Sequence, residues 1–392
     1  VSLLCLSLTA VLKATGAGRA ADAAVQAEPA AGPKIVEVDC GKGKKISGAL
    51  KDKPDELVIR IKGVCHEDVV IDRGSVTLIS DPESVPYPAE IHGVGVDDAL
   101  GSTQAVVKIV AARRVRLENL LITAGSRFGV WVNESLGVEL VGVTVSGSGR
   151  DGVQSVDTSN VFLSDSTIRD SGRYNLASFD AELTLCTRCT LLDGGVGQAL
   201  VIGGRLTLSD SLLAGDGSGV EAFAGSSAWV NASSVTAGTW AFVAQENSSV
   251  VVARAGSVPP PTFAGSIFAA LGGDVVLDGV EQCPSSSAGC SSSGAGGASS
   301  LGWDGRLLVV NGSRLSGPVD AAWLSQVTLT DGAALESDLT CSGGADAFCD
   351  DPSLVAGTVT GCARCVQPLA GASSSARALR RPSPPPPAAP RP

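Results

Sequence analysis

The chain has 392 residues with 48 Gly, 20 Pro, 11 Cys, no Met, 4% aromatic residues and a formal net charge of -11. That charge excludes sequence-independent binding to nucleic-acid backbones, which takes clustered Lys and Arg, and 44% hydrophobic against 18% charged residues excludes wholesale disorder. Length alone allows two or three ordinary domains or one elongated repeat domain.

Val1 to Leu12 are apolar or small, Lys13 follows, and Ala21-Asp22-Ala23 precedes Ala24. This pattern predicts a secretory signal over 1–23 and a linker over 24–34, with a hydrophobic N-terminal strand as the alternative. The run is too short to span a bilayer, and no later run reaches the ~18–20 apolar residues a span needs. Removing the signal removes Cys5 and leaves ten cysteines, an even number, as in an exported disulfide protein. Their spacing suggests Cys186/Cys189, Cys283/Cys290, Cys341/Cys349 and Cys362/Cys365 as close pairs, with Cys40 and Cys65 left for each other. Two alternatives for the C-x-x-C pairs are a tetrahedral zinc site and redox dithiols.

From Val115 the sequence repeats itself. VRLENLLITAG, VELVGVTVSGS (from Val138), VFLSDSTIRDS (Val161), LTLCTRCTLLDG (Leu183), LTLSDSLLAGD (Leu206) and AWVNASSVTAG (Ala228) recur at 22 or 23 residues, and VVVARAGSV (Val250) follows. Each unit holds three short segments with Val, Leu and Ile at alternate positions and Gly, Ser, Asn and Asp between them. This is a strand period with turn punctuation and not a 3.6-residue helical one. A unit this small cannot bury its apolar face alone, so coil must stack on coil at ~4.8 Å, with Val130, Val153, Leu176, Leu200, Val220 and Phe242 as one interior column.

The repeat, with ELVIRIKGVCHEDVVIDRGSVTLISD (Glu56 to Asp81), resembles the right-handed parallel β-helix proteins of the pectate-lyase-like superfamily over residues 35–366. The resemblance implies an all-β solenoid of about 22–23 residues per coil, with KKISGALKDK (Lys44 to Lys53) as a cap over the first coil and Cys40–Cys65 stapling it. Stacked positions ~4.8 Å apart fall inside the Cα separation a disulfide tolerates. The pattern loosens at Pro259 to Pro261, a Ser/Gly-rich excursion covers 281–304, and 367–392 is a Pro-rich tail that cannot form a core.

Two polar columns stand out in the repeat. Arg127, Arg150 and Arg173 are 23 apart, as are Glu134, Asp157 and Asp180; the flanking coils carry Gln104, Ala111, Val196 and Gly203 instead. Like charges ~4.8 Å apart repel by about 0.9 kcal/mol per pair even at the dielectric of water. A ligand would offset that: an anionic sugar chain along the arginines, with Trp131, Asn133, Gln154 and Phe179 beside them, or calcium among Glu134, Asp157 and Asp180. The competing reading is solvated turn residues copied by duplication.

The superfamily's catalytic motifs are absent: Asn-Thr-Asp, Asp-Asp and Gly-His-Gly of the polygalacturonase-like hydrolases, Arg-x-Pro-x-x-Arg of pectate lyases, Asp-Pro-His-Glu of alginate epimerases. His66 and His92 read as early-coil turn residues. If the chain is a lyase, Arg150 as base with Asp157 and Asp180 is the candidate set. The sequence thus predicts an exported, disulfide-stapled, monomeric β-helix, secreted or at the cell envelope, with no transmembrane segment and no nucleic-acid partner. Its function is read as non-catalytic binding or display of an extracellular polysaccharide or cell-surface component, with calcium the one cofactor suggested. A polysaccharide lyase or glycoside hydrolase acting on an acidic glycan, and a structural or adhesive surface protein, are the alternatives.

Overall fold

The computed structural model describes residues 32–95, 104–254, 262–283, 298–351 and 354–362. Residues 1–31, containing the predicted signal and most of the linker, and the tail over 367–392 lie outside them, as do Pro259 to Pro261. No helix among the described residues is long and apolar enough to cross a membrane.

The repeat folds as a right-handed parallel β-solenoid. One 14-stranded sheet runs from Lys34–Asp39 to Asp346–Cys349. The other two sides form a single sheet because two long strands, Ser234–Gln245 and Thr262–Ala270, turn the corner without a break. A typical coil places Arg113–Glu118 on the first ladder, Leu120–Thr123 on the second and Phe128–Asn133 on the third, before Leu136–Val141 starts the next coil. Every ladder is parallel and pairs a residue with its equivalent one coil away, as Val115 with Val138 and Val138 with Val161. After Arg306 the coil shortens, so that Arg306 pairs with Gln326 and Gln326 with Asp346.

Alternation places one residue set inside. Val107, Val130, Val153, Leu176, Ala199, Val220, Phe242 and Ile267 form an interior column, all at 0% exposure. The expected member Leu200 is a correction: it pairs with Ala177 and joins a separate cluster with Tyr174. Since the side-chain period is two, a miscount of one residue moves a side chain to the opposite face. At one inner corner the chains approach too closely for a side chain. A Cβ would lie 2.2 Å from Val145 Cγ1 at Gly129 and 2.3 Å from Ile168 Cγ2 at Gly152. Asn175 and Gln198 fill the same corner further on, with Asn175 Nδ2 donating to Gln198 Oε1 at 2.6 Å.

The expected cap is present. Ile46–Ala49 is one helical turn that buries Ile46 completely, and buried Glu67 accepts the Ile46 and Ser47 N–H groups at 2.6 and 3.1 Å. Cys40 and Cys65 are joined with their Cα atoms 5.1 Å apart. Closing a 25-residue loop, this bond contributes about 3.5 kcal/mol by the chain-entropy relation. Replacing both cysteines with serine is expected to lower the urea midpoint for the N-terminal coils accordingly, read by hydrogen exchange in the strand Leu57–Lys62; unchanged exchange there would show that the cap holds without its staple.

Cys186–Cys189 is a disulfide, which leaves that pair no thiolates for zinc in the oxidised protein, while a redox dithiol forms the same bond when oxidised. The expected Cys341/Cys349 and Cys362/Cys365 pairs are corrected: Cys341 is bonded to Cys362, 21 residues on, with Cα atoms 4.7 Å apart. In a solenoid the spatial neighbour of a cysteine is about one coil away along the chain. Cys283 and Cys349 are also disulfide-bonded, while Cys290 and Cys365 lie outside the described residues. The excursion predicted over 281–304 is narrower than expected, because Glu281–Gln282 and Ser299–Leu301 are strands of the second and third ladders.

Candidate functional site: the outer face of the third ladder

Each column arginine is the residue just before or at the start of a third-ladder strand. The three are stacked through the backbone: Arg150 N–H donates to Arg127 O at 2.7 Å and Arg173 N–H to Arg150 O at 2.6 Å. The column ends where expected, with Phe128 N–H donating to Gln104 O on one side and Val196 N–H to Arg173 O on the other. The guanidinium groups lie against aromatic rings. Arg127 and Arg150 are 5.3 and 5.6 Å from the Phe128 ring centre, and Arg173 is 5.4 Å from that of Tyr174.

Between the arginines sits an acid that sequence reasoning missed. Asp151 opens the strand Asp151–Val156 and is fully buried. Arg150 Nε lies 3.5 Å from its Oδ2, Arg173 Nε lies 3.8 Å from its Oδ1, and the Tyr174 N–H donates to Oδ1 at 3.3 Å. Neither ion pair is a hydrogen bond: Asp151 Oδ2 and Arg150 Nε are both buried without a hydrogen-bond partner. Burial pushes the Asp151 carboxyl above its usual range, against the pull of Arg173, the Tyr174 N–H, Arg150 and Arg127. Burial also lowers the Arg150 guanidinium, helped by Arg173 and Arg127 and opposed by Asp151.

Tyr174 extends the cluster along the axis. Its ring occupies the space that a side chain at Gly197 would need, and its hydroxyl donates to Glu221 Oε2 at 2.8 Å. Burial, then the Glu221 charge, pushes the phenol far up, so it stays protonated. Beside this line runs a second one, in register: Lys108, Trp131, Gln154, Ala177, Leu200 and Glu221. Lys108 Nζ stands 5.3 Å from the Trp131 ring centre, and Gln154 is buried with Oε1 unpartnered. The structure therefore joins Arg127, Arg150, Arg173, Trp131 and Gln154 on one face and adds Asp151, Tyr174 and Glu221. The signal available in the sequence was weak: Asp151 and Tyr174 each directly follow a column arginine, and Glu221 interrupts the apolar run GVEAF.

The acidic column lies elsewhere. Glu134, Asp157 and Asp180 are exposed at the far end of the third-ladder strands, about 20 Å from the arginines across a six-residue strand such as Phe128–Asn133. They share one corner conformation, with φ of 47°, 47° and 50°, and Ala111 and Gly203 take the same left-handed turn at 50° and 68°. Asp and Gly tolerate that region best, so the backbone accounts for Asp157 and Asp180 without a ligand. Among the described residues, three or more His, Cys, Asp or Glu side chains converge within 4.8 Å only at Cys40, Cys65 and Glu67, where both sulfurs are in a disulfide. The set Arg150, Asp157 and Asp180 is thus not brought together. A shallow depression of about 450 Å³ next to Asp180, lined by Thr158, Glu182 and Arg205, is separate from the arginine cluster.

Further along, that corner turns aromatic. Leu271, Trp303 and Trp323 stack through Leu271 N–H to Trp303 O and Asp304 N–H to Trp323 O, and are 51%, 63% and 64% exposed. Trp323 has φ of 54°, a conformation that costs a non-glycine residue about 1–2 kcal/mol. Trp323→Gly is expected to raise stability by about 1 kcal/mol in urea unfolding, because a ring this exposed returns little packing energy; a loss of that size would show that its contact with Gly343 dominates.

Residues 89–236 match the family model described as a right-handed β-helix region. No curated protein matches the chain. Among solved structures, it resembles the full-length tailspike protein 2 from Escherichia coli O157:H7 bacteriophage CAB120, at 8% identity and a TM-score of 0.38, covering 67% of this chain but only 38% of the tailspike. An alginate lyase from Paenibacillus sp. str. FPU-7 is similar at 12% identity and a TM-score of 0.34, covering 83% of this chain and 97% of that one. A pectin methylesterase from Yersinia enterocolitica is similar at 13% identity and a TM-score of 0.33, with 86% and 97% covered. At such identities and scores these likenesses carry no inference about activity.

Proposed function

We propose that this is an exported β-helix whose third-ladder face binds an acidic polysaccharide without cleaving it. The observation that carries the reading is the sharing of one buried carboxylate, Asp151, by Arg150 and Arg173, with Arg150 Nε left without a hydrogen-bond acceptor. An unsatisfied buried donor costs about 1–3 kcal/mol, more when charged. Arg150 Nε itself is buried, so an anionic oxygen laid along the column meets the arginine side chains where they are exposed and offsets the excess positive charge. Half-buried Trp131 adds flat apolar surface against which a sugar ring can rest, whereas Phe128 and Tyr174 are buried and serve to support the arginines. The disulfides support an oxidising compartment.

A cleaving reading draws on Asp151 itself, since a recessed acid with a raised pKa between arginines is an arrangement active sites also use. In that case Asp151 and Arg150, and not Asp157 or Asp180, are the groups to test. One experiment separates the readings. Labelled acidic and neutral polysaccharides are incubated with the purified chain, with calcium or with chelator, and resolved by size exclusion. Protein-bound species of acidic glycan at full length support the binding module; shorter chains establish an enzyme. No shift with any acidic chain sinks both and leaves the structural or adhesive alternative.

A further inference from the structure

We propose a divalent transition-metal site on the outer face of the second ladder, built on His66 and His92 and close to the N-terminal cap. The chain has two histidines, and the fold makes them direct partners across adjacent strands, Val64–His66 and Ala89–His92. Their ring centres are 5.1 Å apart with the planes inclined at 66°. Two imidazoles on one tetrahedral Zn²⁺, with Zn–N about 2.0–2.1 Å, hold their ring centres about 5 Å apart. The ring spacing that the paired strands impose thus matches that of two imidazoles sharing an ion.

The hydrogen bonds around His92 select the right tautomer. Its Nδ1 lies 3.1 Å from Glu90 Oε1 and 3.0 Å from Thr123 Oγ1. The Thr123 hydroxyl donates its proton to that same Glu90 oxygen. Both neighbours of Nδ1 are thus acceptors, so Nδ1 carries the hydrogen, and in the neutral ring Nε2 is the nitrogen with the lone pair. A carboxylate that fixes a histidine this way is the usual outer partner of a metal ligand. Glu90 and Asp68, whose Oδ1 holds the Val94 N–H at 3.1 Å, give the surroundings negative charge. His66 is exposed and the His92 side chain is 40% exposed, so an ion reaches the pair from solvent and water completes its shell. Two imidazole nitrogens favour Zn²⁺, Cu²⁺ or Ni²⁺ over Ca²⁺. The bound ion would tie two early coils together on the outside, near the disulfide of the cap.

The test is calorimetric titration of the full, oxidised chain with ZnCl₂, with CaCl₂ as comparison, together with thermal unfolding. The expected result is one equivalent of Zn²⁺ bound, a rise in Tm of the N-terminal coils, and no heat with Ca²⁺. His66→Gln and His92→Gln, both at surface positions, should each weaken Zn²⁺ binding by at least ~100-fold, and Glu90→Gln by about 10–100-fold. Zn²⁺ binding that survives in the double histidine variant, Ca²⁺ binding of equal strength, or no binding at all would overturn the assignment. The site lies on a different ladder from the arginine face, and its fate is independent of that proposal.

Discussion

Alanine at both Arg150 and Arg173 is expected to weaken binding of a sulfated polysaccharide by at least ~100-fold, because a charge-assisted hydrogen bond contributes about 1.5–3 kcal/mol and about 1.4 kcal/mol is tenfold in affinity. A sulfated probe is preferred because its charge does not titrate with that of the protein. The loss should shrink as ionic strength rises, since both guanidinium groups are about one-third exposed. Equal binding by wild type and the double variant in a salt series would end the arginine reading. Asp151→Asn should act in the opposite direction: it removes the one negative charge between the arginines and is expected to tighten the same probe several-fold.

The pH dependence has a defined sign. The folded-state pKa of Asp151 lies above its unfolded value because burial outweighs the nearby arginines. Folded protein therefore holds a proton that unfolded chain has released, so this contribution to stability is present below the unfolded pKa and lost as pH rises through the folded one. Protonation also frees the arginines. Wild type should then bind a sulfated chain more tightly as pH falls through the folded pKa of Asp151, whereas Asp151→Asn should bind with a flat profile across that window and have a Tm at neutral pH no lower than wild type. Parallel pH profiles for the two proteins would show that Asp151 does not control the face.

The second large effect concerns the core. Phe242 is fully buried in the interior column and meets Phe263 with ring centres 5.2 Å apart at 63°. Both lie on the two long strands that join the second and third ladders. Phe242→Ala is expected to cost about 3–5 kcal/mol, from lost burial and the cavity left behind. Since each coil is supported only by its neighbours, hydrogen exchange should speed up most in the strands Ser218–Phe223, Ser234–Gln245 and Thr262–Ala270. Exchange raised equally from end to end would instead mean that the solenoid unfolds as one cooperative unit.

Sequence alone carried the architecture: the 22–23-residue spacing and alternating Val, Leu and Ile already required short strands stacked in parallel, and Cys40, Cys65 and Ile46 fell where a capped first coil needs them. It also placed Arg127, Arg150, Arg173, Trp131 and Gln154 on one face, because residues one period apart must stack. The tertiary structure decided whatever depends on the phase of a coil or on contact across coils. Val220 follows Ala199 in the interior column after 21 residues, although Ala199 follows Leu176 after 23, and Cys341 meets Cys362 because a coil there has shortened to about the same length. The burial of Asp151, the Tyr174–Glu221 hydrogen bond and the meeting of His66 with His92 arise from side chains 23 to 47 residues apart. Periodicity says which positions share a column; only the path of the chain around each corner says which way a side chain points and whether water reaches it.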